Sequence, residues 1–133
     1  MKLRAAIKRV ACLGAITISS ACIAQALSGE AKICAQLHKN QQYQQAFSRC
    51  LKAANEGDVI SQLALAKLYQ AGQGVAQSNK LAYVWYLRAA KLRNPVGQFR
   101  VAQMYRDGIG VQANADRAKF WFEQAKNSGY KEP

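Results

Sequence analysis

The stretch Gly72-Gln73-Gly74-Val75 returns 36 residues later as Gly108-Ile109-Gly110-Val111. At the same offset, the sequence pairs Gln62 with Gln98, Ala66 with Ala102, Tyr69 with Tyr105, Ala82 with Ala118, Trp85 with Trp121 and Ala89 with Ala125. A fixed period of this length is typical of stacked helical repeats, in which each unit buries its apolar face only against its neighbours. The repeat predicts a scaffold, but it does not name a ligand.

Apolar residues at three- and four-residue spacing predict two helices for each repeat and two more before the first repeat. The expected N-caps are Ser28, Asp58, Ser78 and Asn114. Pro95 suits the first turn of a helix, and Gly57 suits a left-handed position after one. The sequence therefore predicts three antiparallel helical hairpins. The first turns tightly at Asn40-Gln41-Gln42 and has no glycine loop.

Small and large side chains recur in register along these helices. We expect the alanines to let helices approach closely, while Tyr69, Trp85, Tyr105 and Trp121 fill the spaces between hairpins. The aromatic runs at 83–86 and 120–122 are an alternative as stacking platforms for sugars or bases. Their repetition in register favours packing, with room for one exposed member in each run.

The first 26 residues have the order of a secretory signal peptide. Lys2, Arg4, Lys8 and Arg9 form a basic region, residues 10–24 are an apolar run, and Ala24-Gln25-Ala26 fits a cleavage site. We therefore predict cleavage after Ala26 and a periplasmic or secreted protein. An uncleaved membrane anchor is the alternative, although 15 apolar residues are few for a spanning helix.

Cleavage would leave two cysteines, Cys34 and Cys50. In an exported chain, an even pair of cysteines indicates a disulfide more than a metal site or a nucleophile. The two residues would lie on consecutive antiparallel helices, at similar distances from the turn between them. A redox-active pair is the alternative, but it would lack the C-x-x-C spacing that tunes thiol reactivity.

The chain is basic, with a net charge of +12, and the leader carries four of the cations, which leaves +8 after cleavage. The remaining Lys and Arg residues are scattered, and no nucleic-acid-binding module is visible, so we do not expect a nucleic-acid partner. In an exported protein, a basic balance favours anionic surfaces, acidic glycans or acidic partner proteins. Solubility alone is the alternative.

No pattern typical of an enzyme or of a cofactor site is visible. His38 is the only histidine, and no carboxylate or cysteine stands at a spacing that would make it a base or a metal ligand. Each glycine loop follows a predicted helix instead of a strand, and no Lys-Ser/Thr pair follows it, which argues against phosphate binding. We therefore expect no catalysis, no metal and no cofactor.

The repeated residues resemble a known family. The pattern Gln62-x-x-x-Ala66-x-x-Tyr69-x-x-Gly72-x-Gly74-Val75, followed by Ala82-x-x-Trp85-Tyr86-x-x-Ala89-Ala90, looks like a Sel1-like repeat. Residues 98–125 match nearly as well, and the first hairpin is closer to the related tetratricopeptide repeat. The resemblance implies an all-α solenoid of three stacked hairpins. Its expected segments are a signal peptide (1–26), a tetratricopeptide-like hairpin (27–57), two Sel1-like repeats (58–94 and 95–130) and a tail (131–133).

The resemblance also implies a concave groove that binds another protein. Carried over residue by residue, the groove positions are Ala35, His38, Leu63, Lys67, Gln70, Phe99, Gln103 and Arg106. Leu63 and Phe99 beside Lys67 and Arg106 would suit an extended peptide with acidic groups or a free carboxylate. The alternative is that Leu63 and Phe99 belong to the core between hairpins.

The predicted function is a non-enzymatic scaffold in the bacterial cell envelope that binds a partner protein or peptide. The resemblance leaves two alternatives. Some cysteine-rich secreted Sel1-like proteins are associated with β-lactam binding or hydrolysis, although neither glycine-loop repeat here contains a cysteine. The other alternative is an envelope factor associated with peptidoglycan or virulence.

Overall fold

The computed structural model describes residues 20–132, with side chains from Gly29 onward. Its helices are α1 (Ser20–Lys39), α2 (Tyr43–Asn55), α3 (Val59–Ala71), α4 (Asn79–Lys91), α5 (Pro95–Asp107) and α6 (Ala115–Asn127). Within this range there is no strand, which confirms the all-α prediction. None of these helices combines the length and the apolar character that crossing a bilayer requires.

Most of the predicted leader lies outside the described residues, and the predicted cleavage bond after Ala26 falls within α1. The prediction of Ser28 as an N-cap is wrong, because α1 already begins at Ser20 and continues through residue 28. The residues just before Ser28 are mostly alanines and other helix formers, so nothing in the sequence stops the helix there.

The helices pair as α1–α2, α3–α4 and α5–α6, and consecutive hairpins meet where α2 packs on α3 and α4 packs on α5. This arrangement confirms the three stacked antiparallel hairpins. α1 also touches α3, and among the described helices no comparable contact joins α2 to α4 or α4 to α6. Residues of the three first helices, α1, α3 and α5, line one shared depression. The first helices of the hairpins therefore form an inner layer, and the second helices form an outer one.

Side-chain caps fix where the helices begin. Asp58 Oδ2 accepts a hydrogen bond from the Ser61 amide at 2.7 Å, and Ser78 Oγ accepts one from the Leu81 amide at 3.2 Å. Asn114 Oδ1 does the same for Arg117 at 2.8 Å. These three predicted N-caps are confirmed.

The start of α5 has a cap that the sequence reading missed. Asn94 Oδ1 accepts a hydrogen bond from the Gly97 amide at 3.0 Å, and Pro95 lies in the first turn as predicted. The combination of Asn and Pro therefore begins a helix here as well as ending the preceding one.

The two glycine loops hold consecutive hairpins together. Gly72 and Gly108 end α3 and α5 in the left-handed region, each with φ of 66°. Gly74 and Gly110, each with φ of 70°, lie directly against the backbone that begins the second helix of the preceding hairpin. A Cβ on Gly74 would overlap the Tyr43 carbonyl, and one on Gly110 would overlap the Asn79 carbonyl. The hairpins therefore stack as closely as they do because these positions have no side chain.

A second repeated contact joins the same hairpins. Gln62 Nε2 donates to the Ala54 carbonyl at 3.2 Å, and Gln98 Nε2 donates to the Ala90 carbonyl at 3.4 Å. The two glutamines are only 4% and 3% exposed. Each glutamine adds a second donor to a carbonyl in the last turn of the preceding hairpin, since the Ala54 carbonyl already accepts from the Gly57 amide and the Ala90 carbonyl from the Arg93 amide.

The core follows the predicted division between small and large residues. Ala66, Ala82, Ala89 and Ala102 are fully buried, at 0% exposure. An edge-to-face aromatic pair recurs at each joint. The ring centres of Phe47 and Tyr69 are 5.4 Å apart, and those of Tyr83 and Tyr105 are 5.6 Å apart. Within the run 120–122, Phe120 is the exposed member at 53%.

The outer face of the last hairpin is charged. The side of α2 that meets the next hairpin carries Phe47, Leu51 and Ala54, and α4 carries Tyr83, Leu87 and Ala90 at the same repeat positions. The corresponding residues of α6 are Lys119, Glu123 and Lys126, and all are exposed. These three positions are therefore charged in the third hairpin, whereas they are apolar in the first two.

Cys34 and Cys50 form a disulfide between α1 and α2, with Cα atoms 5.0 Å apart. Both are almost fully buried, at 1% and 0% exposure. The same two helices are also joined by ion pairs. The Glu30 carboxylate lies 3.7 Å from a guanidinium nitrogen of Arg49 and 3.5 Å from Lys52 Nζ. The predicted pairing is confirmed, and a structural disulfide is consistent with an exported protein.

Replacing Gly110 by alanine should destabilise the protein more than replacing Gly108, although the two have nearly the same φ. Gly108→Ala pays only for the left-handed backbone, about 1–2 kcal/mol, because its Cβ would meet Ala113 at an ordinary 3.4 Å. Gly110→Ala adds the overlap with Asn79, which should cost about 1–3 kcal/mol more. Urea unfolding of both variants measures the difference, and equal losses would contradict a tight joint at Gly110.

Removing the disulfide by the double substitution Cys34→Ala, Cys50→Ala should lower the free energy of unfolding by about 3 kcal/mol, given the short loop that the bond closes. Urea unfolding with and without reductant tests this expectation, since reductant should affect only the wild type. Alkylation of the native protein without reductant, followed by intact-mass measurement, is the control. Full labelling of both cysteines would contradict the pairing.

Candidate functional site

Four of the predicted groove residues line one depression in the inner layer, between α1, α3 and α5. We call this depression the trough, and its volume is about 350 Å³. Its lining consists of Ala35, His38, Ile60, Leu63, Ala64, Lys67 and Val96. Ala35, His38, Leu63 and Lys67 were expected from the sequence, and the other three were not.

The exposed apolar surface of the trough comes from residues that the sequence reading missed. Ile60 is 58% exposed and Val96 is 36% exposed, whereas Leu63 is only 8% exposed and belongs to the core. The sequence contains a signal for both residues. Ile60 and Val96 occupy equivalent positions of the two repeats, and each lies three residues before a predicted groove residue, Leu63 or Phe99. Lys67 is exposed and is the only Lys or Arg in the lining.

Gln70 and Gln103 lie in a second, polar depression of about 240 Å³. Its other lining residues are Tyr86, Arg100, Met104, Asp107 and Ile109. The Tyr86 hydroxyl donates to Gln70 Oε1 at 3.3 Å, and burial raises the pKa of Tyr86. Arg100 donates to Gln103 Oε1 at 3.2 Å, so the predicted glutamines are already engaged with neighbouring side chains.

Phe99 and Arg106 lie apart from the trough. Phe99 stacks on Tyr130 at 4.1 Å and meets the edge of Phe122 at 5.5 Å, in a third depression of about 510 Å³. Arg106 donates from Nε to Asp107 Oδ1 at 2.7 Å and from a terminal nitrogen to Oδ2 at 3.0 Å. These hydrogen bonds lower the pKa of Asp107, so the Arg106 charge already has a carboxylate partner.

The structure therefore distributes the predicted groove residues over three depressions, except Arg106, which is not among the lining residues of any of them. The residues at 60, 63, 67 and 70 on α3 repeat at 96, 99, 103 and 106 on α5, and this spacing places each set along one side of its helix. Of the three depressions, only the trough has exposed apolar residues together with a lysine and no carboxylate in its lining.

A polar aromatic cluster at the second joint was not predicted. The Tyr83 and Tyr105 hydroxyls lie 2.7 Å apart, and Arg117 donates to the Tyr105 hydroxyl at 3.1 Å. The pKa of Tyr83 is raised to about 12, mainly because the side chain is partly buried and also because it forms a hydrogen bond with the Tyr105 hydroxyl. Burial alone would also raise the pKa of Tyr105, but its hydrogen bonds with Tyr83 and Arg117 outweigh that effect and lower it.

The cluster joins α4, α5 and α6, and it occurs at one joint only. At the first joint, the equivalent residues are Phe47, Tyr69 and Leu81, which offer one hydroxyl and no guanidinium. The pair of aromatic rings is therefore the repeated packing element, and the hydrogen bonds are an addition that tightens the last hairpin. Nothing in this geometry requires a substrate.

Replacing Tyr83 by phenylalanine should reduce by one the number of tyrosines that ionise near pH 12. The pKa of Tyr83 is raised above its ordinary 10.0. The protonated Tyr83 hydroxyl therefore contributes its full stabilisation of the fold below about pH 10, and this stabilisation is lost as the pH rises through about 12. Tyrosinate absorbance after rapid pH jumps measures the ionisation. In Tyr105→Phe, the pKa of Tyr83 should fall, and an unchanged titration in both variants would contradict the coupling.

A stack of helical hairpins with an open trough in its inner layer defines a helical-repeat scaffold. The sequence model of the Sel1 repeat matches residues 59–94 and 95–130, which together make up more than half of the chain. The chain therefore belongs to the Sel1 repeat family, which confirms the resemblance noted in the sequence. Sel1 repeat proteins generally mediate protein–protein interactions, and most act as scaffolds without enzymatic activity.

Two solved structures share the fold and a recognisable sequence similarity. A Sel1 repeat protein from Oxalobacter formigenes is 27% identical with a TM-score of 0.71, and the match covers 75% of this chain and 41% of that protein. A protective antigen of uropathogenic Escherichia coli is 32% identical with a TM-score of 0.65, over 66% of this chain and 19% of that protein. The present chain thus spans less than half the length of either relative.

A third structure, the cysteine rich protein B of Helicobacter pylori, is similar over most of both chains. The match covers 82% of this chain and 90% of that protein, with a TM-score of 0.70 and 24% identity. At this identity the similarity establishes the fold alone. No curated protein matches the sequence.

Proposed function

We propose that this protein is a non-enzymatic scaffold of the bacterial cell envelope that holds an extended partner peptide in the trough between α1, α3 and α5. The observation that carries the proposal is the exposed apolar pair Ile60 and Val96 beside Lys67. Large apolar side chains that a fold leaves exposed and grouped in a concavity are typical of binding surfaces.

The lining of the trough indicates the chemistry of the partner. Ile60 and Val96 expose apolar surface in the trough that the buried Leu63 also lines, which suits an aliphatic or aromatic side chain of the peptide. Lys67 extends from the same depression, and no carboxylate is among the lining residues. The preferred peptide therefore carries an acidic residue close to an apolar anchor.

Two features support the envelope location. The Cys34–Cys50 disulfide needs an oxidising compartment to form and persist, and the bacterial periplasm is one. The order of basic, apolar and small residues over 1–26 fits a secretory leader. Both features support the same compartment, and both are independent of the trough.

A photoreactive benzoylphenylalanine at position 60 should crosslink to the partner in living cells, because Ile60 is 58% exposed inside the trough. The matched control is position 120, since Phe120 is similarly exposed at 53% but lies on α6, outside the trough. Mass spectrometry of the adducts identifies the partner. Equal adducts from both positions, or adducts from position 120 alone, would place the binding surface elsewhere.

The charge of the partner can be tested once it has been captured. Lys67→Glu should weaken capture by about tenfold, which is the scale of one lost and reversed charge contact at an interface. Lys119→Glu makes the same charge change on an exposed lysine of α6 and should leave capture unchanged. Equal weakening by the two variants would indicate a general charge effect and contradict the assigned trough.

A further inference from the structure

The segment from Val59 to Arg106 contains no acidic residue, although it includes α3, α4 and all of α5 except its last residue. Its basic residues are Lys67, Lys80, Arg88, Lys91, Arg93, Arg100 and Arg106. Among the described side chains, only Arg106 of this set lies within salt-bridge distance of a carboxylate. The middle of the stack is therefore a region of uncompensated positive charge.

Part of this charge lies on one exposed side of α4, in the outer layer. We call this side the basic stripe, and its residues are Lys80, Leu81, Val84, Arg88, Lys91 and, just past the helix end, Leu92. Their helical spacing places them within about 120° of the helix circumference. All six are exposed.

The apolar members of the stripe are large and lie between the cations. Leu81, Val84 and Leu92 are 42%, 37% and 54% exposed. The Arg88 guanidinium lies 4.3 Å from the centre of the Trp85 ring, which holds it against the helix surface. The stripe thus presents aliphatic side chains and positive charges together on the same surface.

Comparison with the other hairpins shows that the fold does not require this composition. The equivalent residues of α2 are Gln44, Gln45, Ser48, Lys52, Asn55 and Glu56. Those of α6 are Asp116, Arg117, Phe120, Gln124, Asn127 and Ser128. Each of these sets has one cation and one carboxylate, whereas α4 has three cations and no carboxylate. Because the same structural position is neutral in two repeats out of three, solubility and packing do not explain the stripe.

We propose that the basic stripe of α4 binds the surface of an anionic phospholipid membrane. Lys and Arg side chains are attracted to anionic headgroups, and aliphatic side chains between them can enter the interface. A bilayer surface offers both contacts at once, over the full length of an exposed helix. An acidic protein would satisfy the cations, but it would have no need for three exposed aliphatic residues among them.

This orientation would leave the trough accessible. The basic stripe lies in the outer layer, and the trough is lined by α1, α3 and α5 of the inner layer. Binding a membrane through α4 would therefore place the concave side away from the lipid. The proposal does not depend on the partner-binding role of the trough.

The test is co-sedimentation of the purified protein, in the processed form that cells produce, with vesicles of phosphatidylglycerol and phosphatidylethanolamine. The triple variant Lys80→Glu, Arg88→Glu, Lys91→Glu should lose on the order of 100-fold in its partition coefficient. A second triple variant, Lys39→Glu, Lys119→Glu, Lys126→Glu, has the same net charge and should stay within about threefold of the wild type, because exposed charges away from the contact are screened. Circular dichroism checks that both variants fold.

Two further arms separate a membrane from other anions. Leu81→Gln with Leu92→Gln should weaken vesicle binding severalfold without changing the charge, and phosphatidylcholine vesicles should bind no variant.

Loss of binding in the first triple variant and retention in the second would support the stripe. The proposal is overturned if the wild type does not sediment with anionic vesicles, or if both triple variants lose binding equally. It is also overturned if the leucine substitutions have no effect while soluble polyglutamate competes fully, which would identify an acidic polymer as the ligand.

Discussion

The contact between a glycine and the backbone of the preceding hairpin is the constraint on which the rest of the structure depends. At Gly74 and again at Gly110, the chain lies so close to the start of the previous hairpin's second helix that no Cβ fits. Gln62 and Gln98 fasten the opposite end of the same interface through buried hydrogen bonds. Two fixed points at each joint leave little freedom of rotation, so the first helices are held side by side and the trough lies between them.

The sequence was sufficient for the fold because the fold repeats itself. The loop at Gly72 to Val75 and its copy at Gly108 to Val111 indicate the joints, and Asp58, Ser78 and Asn114 mark helix starts by a local hydrogen bond. Local rules fail where no local signal exists. Ser28 is a good capping residue, but the helix-forming residues before it carry α1 past that point. The hydrogen bonds of Gln62 and Gln98 cross between hairpins, so helix patterns alone do not predict them.

The candidate site was harder to predict, for a reason that the trough makes clear. Leu63 and Phe99 were predicted as groove residues from the resemblance to the family, yet Leu63 is buried, and Phe99 stacks on Tyr130 and meets the edge of Phe122. Periodicity shows which side of a helix a residue occupies, but it does not show whether a neighbour covers it. Ile60 stays exposed although it lies among residues of α1, α3 and α5 that line the trough. Whether a helix residue is covered depends on which residues of the other hairpins lie against it, and the pattern within its own helix does not contain that information.

A repeat protein offers a way around this difficulty, since each structural position occurs several times in the same chain. Residues that remain the same at equivalent positions, such as the glycines and the buried glutamines, are explained by stacking. Residues that change while the backbone environment stays constant need another explanation. Phe47 becomes Tyr83 at the second joint and adds a hydrogen bond, and a neutral side of α2 becomes a cationic and aliphatic side in α4. The positions that depart from the repeat are therefore the ones at which this chain can carry a function of its own, on a framework that the glycine joints keep constant.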